Sequence, residues 1–155
     1  VRSTVDLVTD TWEVAFKLQQ EAAVAGAMTA FPLLQRMPYP TGCCDLRMNW
    51  EQDGLGEGHV CVDDQGRGTV EFVGMPQAAV GAALDTLMGK GWWDDAPDGI
   101  AAAGPGDYFW SDEDHGGEWE IKVEADGRLT MSMDFMRIPD VIGVLDTVHT
   151  ALTTP

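Results

Sequence analysis

The chain has 155 residues, the usual size of one domain and enough to bury a core without disulfides or metals. Apolar residues make up 45% and charged residues 23%, a globular composition that excludes intrinsic disorder. With 26 Asp and Glu against 9 Lys and Arg, the formal charge of -17 excludes a nucleic-acid backbone or an anionic membrane surface as partner, since either demands cations on the protein.

Val8, Trp12 and Phe16 recur every four residues, and Asp10 with Glu13 has capping-box spacing, so a helix is expected from near Thr9 to about Ala30. Pro32, Pro38 and Pro40 turn the next stretch into an extended connector ending at Thr41-Gly42. Leu46, Met48 and Trp50 alternate with Arg47, Asn49 and Glu51, the period of a half-buried strand. Val60 and Val62 mark a second strand, and Val70 and Phe72 a third, joined by turn chemistry at Asp63-Asp64-Gln65-Gly66. Pro76 opens a helix with Val80, Ala83, Leu84, Leu87 and Met88 on one face, and Gly89 or Gly91 stops it. After a Gly/Pro/Asp-rich loop from Gly91 to Gly106, strands are expected at Tyr108 to Trp110, at Trp119 to Val123 and at Leu129 to Phe135. Pro139 opens a closing helix whose apolar face is Val141, Val144, Leu145, Val148 and Leu152.

Sliding the chain by 61 positions matches Asp53, Gly56, Glu57, Val62, Gly66, Arg67, Thr69, Met75, Val80, Leu84, Asp85 and Thr86 to identical residues, 12 in the 35 positions from Asp53 to Leu87. Composition alone would give roughly 2 or 3, so the halves read as an internal duplication. The expected fold is therefore α+β in one domain of residues 1–155: an N-terminal helix and connector over 1–44, then βββα copies over 45–91 and 106–153. Each copy has one apolar sheet face to cover, which favours a mostly antiparallel sheet with helices on one face.

Cys43, Cys44 and Cys61 leave an odd count, and the vicinal pair does not suit disulfide geometry, which favours a reducing compartment. Residues Val1 to Asp6 hold no apolar run, and Ala22 to Phe31 is about half a membrane span, so the expected location is cytoplasmic. His59 and Cys61 share a strand face, but with Cys43, Cys44 and His115 they match no structural zinc spacing, so no metal or other cofactor is expected. Asp63 to Gly68 lacks the alternating acids and distal glutamate of a calcium loop and reads as a hairpin turn. Gly54 to Gly58 joins two strands and offers no helix N-terminus for a phosphate.

What stands out is large aromatics beside clustered acids: Trp92, Trp93, Asp94 and Asp95 in one segment, Trp110, Asp112, Glu113 and Asp114 in another. Aromatic anchors with an acidic rim suit a basic protein partner, and of the adjacent Trp92 and Trp93 one is expected to point outwards. The chain thus reads as non-enzymatic, with no catalytic residues: an acidic protein-binding module of the immunity or antitoxin type that neutralises a basic bacterial effector such as a nuclease. Two alternatives stay open. The order of elements resembles the layout of bacterial type III secretion chaperones, which implies a homodimer and capture of an extended secreted partner; the likeness is of layout and carries no motif. A small-ligand binder or enzyme would instead use a pocket between the copies, with His115 and Asp112 or Asp114.

Overall fold

Seven antiparallel strands form a single sheet in the order β1-β2-β3-β4-β7-β6-β5. The strands are β1 (Gln35–Arg36), β2 (Leu46–Gln52), β3 (Gly56–Val62), β4 (Arg67–Pro76), β5 (Gly106–Asp112), β6 (Gly117–Val123) and β7 (Arg128–Arg137). Helices α1 (Thr4–Ala30), α2 (Gln77–Met88) and α3 (Ile138–Thr153) cover one face, with α3 between the other two. This computed structural model describes residues 4–37, 45–90, 93–112 and 117–154. Among them, no helix is long and apolar enough to cross a membrane.

The period-two pattern explains the layering. In β2, Leu46, Met48 and Trp50 are buried while Arg47 and Glu51 are exposed, and the same alternation buries Trp119, Ile121 and Val123 in β6. These side chains meet Ala23, Val24, Ala27 and Ala30 of α1 and the predicted face of α3, Val141, Val144, Leu145, Val148 and Leu152, in one core. At the centre of the first half, Phe31, Trp50 and Phe72 pack tilted to edge-on with ring centroids 5.0 to 5.2 Å apart. Gly58 lies between Trp50 and Phe72 in the sheet; a Cβ there would collide with the Glu71 carbonyl and the Phe72 ring. Trp119, 61 positions on, fills the corresponding space of the second half from the core side of β6.

The elements repeat at that same spacing. β3 and β6, β4 and β7, and the starts of α2 and α3 each lie 61 residues apart, whereas β2 and β5 begin 60 apart. The central pair, β4 and β7, carries one irregularity on each strand: Val73-Gly74 on β4 and Asp134-Phe135 on β7. Turn chemistry behaves as expected. Asp63 Oδ1 accepts the backbone N–H of Gln65 and of Arg67, and Gly66 and Gly127 hold φ of 77° and 82°.

Three expectations need correction. α1 already runs from Thr4, so Asp10 and Glu13 lie inside it; acids three apart also share one side of a helix, and their spacing does not mark an end. The connector contains β1, which pairs with β2 and is tied back to α1 by a two-pronged Arg36–Glu21 ion pair at 2.7 Å. Leu87 is exposed, because α2 turns Val80, Gly81, Leu84 and Asp85 inwards. That rotation is set by the following loop: the buried Asp85 carboxylate accepts Ile100 N–H at 2.7 Å and Ala101 N–H at 3.1 Å, and Gln77 Nε2 donates to the carbonyls of Ile100 and Ala103.

Candidate functional site: the open face of the sheet

With all three helices on one face, the other face has no covering element among the described residues, and its side chains follow from the strand register. One row crosses all seven strands: Gln35, Asn49, His59, Glu71, Ser132, Glu120 and Phe109. Its neighbours are Arg47 with Cys61 and Thr69 on one side, and Glu51 with Glu57 and Val73 on the other. In the second half, Glu118 pairs with Asp134, and Lys122 lies between Asp107 and Thr130. These rows hold seven carboxylates (Glu51, Glu57, Glu71, Asp107, Glu118, Glu120 and Asp134) against two permanent cations, Arg47 and Lys122.

Three further arginines stand at the strand ends, and of these Arg128 borders a hollow with Glu51 and Glu57. Arg67 donates to the Phe135 carbonyl, Arg128 to those of Gly54 and Gly74, and Arg137 pairs with Asp140 on α3. Like charges crowded on one face repel, and a cationic ligand would relieve that repulsion.

Two grooves mark the face. A groove of about 500 Å³ occupies the first half, with Leu33, Gln35 and Met37 as one wall and Asn49, His59 and Glu71 across its floor. Arg47 lines it too, its Nε donating to Asn49 Oδ1 at 3.0 Å. His59 is half-buried there; burial lowers its pKa below the ordinary imidazole value, the Arg47 charge lowers it further, and Glu71 opposes both. A second groove of about 290 Å³, beside β5, is lined by Phe109, Glu118, Glu120, Ser132 and Asp134 together with Trp110 and Trp119, and among the described residues no basic one borders it.

The aromatic and acidic residues singled out in the sequence are dispersed. Trp93 is 2% exposed and packs edge-on to Trp119 at 6.4 Å, so it shapes the core and offers no surface to a partner. Trp110 is half-buried, pairs with Trp119 and borders the second groove. Asp94 and Asp95 are exposed in the loop after α2, and Asp112 is the last residue of β5. Trp92, Glu113, Asp114 and His115 lie outside the described residues, as do Cys43 and Cys44.

Glu57, Glu71, Glu118, Glu120, Asp134 and Phe109 were missed, although a signal for them existed. Each occupies the solvent-side phase of a strand whose alternate residues are apolar, and Phe109, between Tyr108 and Trp110, must point away from both. His59 and Cys61 share the open face, as their spacing requires, yet among the described residues no three His, Cys, Asp or Glu side chains converge as a metal site.

The two grooves described above lie one in each half of the sheet. A hollow of about 270 Å³ at the junction is walled by the Glu51–Glu57 hairpin, Val73, Gly74 and Arg128. Neither a family model, nor a curated protein, nor a solved structure matches this chain.

Proposed function

We propose that this chain is a non-enzymatic protein-binding module of the immunity or antitoxin type, which neutralises a basic effector by covering it with the acidic open face of its sheet. The observation that supports this most directly is the excess of seven strand carboxylates over Arg47 and Lys122 on a face that no described element covers. A field of one sign raises the association rate with a cationic partner and rejects acidic ones. Exposed Phe109 adds an aromatic anchor inside an acidic surround.

The test is to capture the tagged protein from its own cells at low salt, identify a stoichiometric partner, and repeat the capture at high salt. A basic partner lost at high salt, whose own activity falls when this chain is restored, is the expected result. Changing Glu71, Glu118, Glu120 and Asp134 to their amides should slow association and flatten its salt dependence, with the fold retained. Changing Asp94 and Asp95 to Asn, away from the sheet face, should have a smaller effect. A partner that binds the sheet-face variant at the wild-type rate would refute the reading.

A further inference from the structure

Strand β5 has one neighbour. It ends the sheet, pairing with β6 residue by residue from Gly106↔Val123 to Asp112↔Gly117 without a bulge, and among the described residues no strand lies beyond it. The opposite edge is the two-residue β1. Sheet proteins commonly protect a long edge with a lysine, a proline, a bulge or a covering loop, because its outward backbone groups template another strand. The stretch Asp107-Tyr108-Phe109-Trp110-Ser111 has neither lysine nor proline. Its one charge, Asp107, is acidic, which repels another acidic chain and attracts a basic one.

The ground beside this edge has the same bias. Phe109 is 68% exposed on the open face, next to Glu120 in the sheet, and the groove around it is bordered by Glu118, Glu120 and Asp134 and, among the described residues, by no basic one. On the helix-covered side, Tyr108 and Trp110 carry the core outwards to the edge.

We infer that the outer edge of β5 takes an extended segment of the partner as an added antiparallel strand, one that alternates basic and apolar residues. The backbone ladder supplies affinity. On the open side the basic side chains lie over Phe109 and reach the carboxylates of the groove, and on the other side the apolar residues lie beside half-buried Tyr108. Seven paired residues make a ladder about 23 Å long at roughly 3.3 Å per residue. A second copy of this chain suits the edge poorly, since each copy carries a net charge of -17 and brings Asp107 to the seam. The inference rests on the protein-binding reading above and specifies how the partner docks.

The probe is an eight-residue synthetic peptide alternating lysine and valine, with two derivatives N-methylated on its odd or on its even backbone nitrogens. Binding to the full chain is read by fluorescence anisotropy at low and at physiological salt, and β5 amide exchange by NMR. The parent peptide should bind at low salt and slow exchange within residues 106–110. One methylated set should bind at least about tenfold more weakly while the other is little changed, because only one edge of an added strand is hydrogen-bonded. Glu118→Gln with Glu120→Gln and Asp134→Asn, checked for an unchanged thermal midpoint, should weaken binding about tenfold at low salt. Equal binding by both methylated sets, with the salt dependence kept, overturns strand addition and leaves the acidic-face reading standing. Unchanged affinity in the triple variant overturns the acidic-face reading itself. Absence of parent-peptide binding, or β5 amides already protected in a homodimer, overturns the inference.

Discussion

Arg67 donates through Nη1 to the carbonyl oxygen of Phe135 at 2.7 Å, and Phe135 holds a φ of 54°, the only positive φ at a non-glycine among the described residues. Sixty-one positions earlier, Gly74 has a φ of 73° and its carbonyl accepts from Arg128 Nη1 at 3.2 Å. Each half of the central strand pair thus has an irregularity whose carbonyl is held by an arginine from the other half's hairpin. One half fills the left-handed position with glycine and the other with a large aromatic.

The backbone at Gly74 sets the first prediction. Gly74→Ala finds open space for its Cβ, so its cost comes from φ alone and should be about 1 kcal/mol. Gly143, in the middle of α3, also has open space and no positive φ, and Gly143→Ala should stabilise by about 0.5 to 1 kcal/mol through helix propensity. Urea unfolding of the two variants should move the midpoint in opposite directions.

Asp85 and Asp146 are identical residues 61 positions apart in different settings. Asp85 is 7% exposed and accepts two backbone N–H groups of the loop after α2, whereas Asp146 is exposed on α3. Asp85→Ala leaves the Ile100 and Ala101 amides unpaired and should cost about 2 to 3 kcal/mol, with faster exchange across residues 99–103. Asp146→Ala should stay within about 0.5 kcal/mol.

Gly58 is held small by backbone. Because a Cβ would strike the Glu71 carbonyl and the Phe72 ring, Gly58→Ala should cost about 1 to 3 kcal/mol and perturb tryptophan fluorescence through Trp50. An unchanged thermal midpoint and emission spectrum would contradict this packing.

His59 gives a pH dependence of definite sign. Its folded-state pKa lies below the ordinary value of 6.5, so the unfolded chain takes up the proton first as pH falls. Its contribution to stability is full above about pH 6.5 and is lost as pH drops from there through the folded-state pKa. Arg47 on β2 and Glu71 on β4 face it across the sheet. Thermal midpoints between roughly pH 7.5 and pH 5 should fall less steeply in His59→Gln than in the wild type.

Much of the fold was legible because burial writes its period into the chain. Alternation marked Leu46-Met48-Trp50 and Leu129-Met131-Met133 as strands, and the four-residue recurrence marked the buried face of α3. The start of α1 was less legible, since acids three apart serve a cap and a helix surface equally well. The orientation of α2 was illegible, because it depends on Asp85 meeting amides of a loop that follows it.

The candidate site divides the same way. That Glu57, Glu71, Glu118, Glu120 and Asp134 face outwards is a local property, readable from their alternation with apolar neighbours. That they share one acidic field is not local: it requires β4 and β7 to pair at the centre, bringing Glu71 and Ser132 into register and joining the two halves into one sheet. Backbone ladders are alike for every sequence, so local pattern sets which way each side chain points, and packing of the helices decides which strands meet. The same long-range choice left β5 at the edge with Phe109 exposed, while Trp93 was drawn beneath the sheet against Trp119.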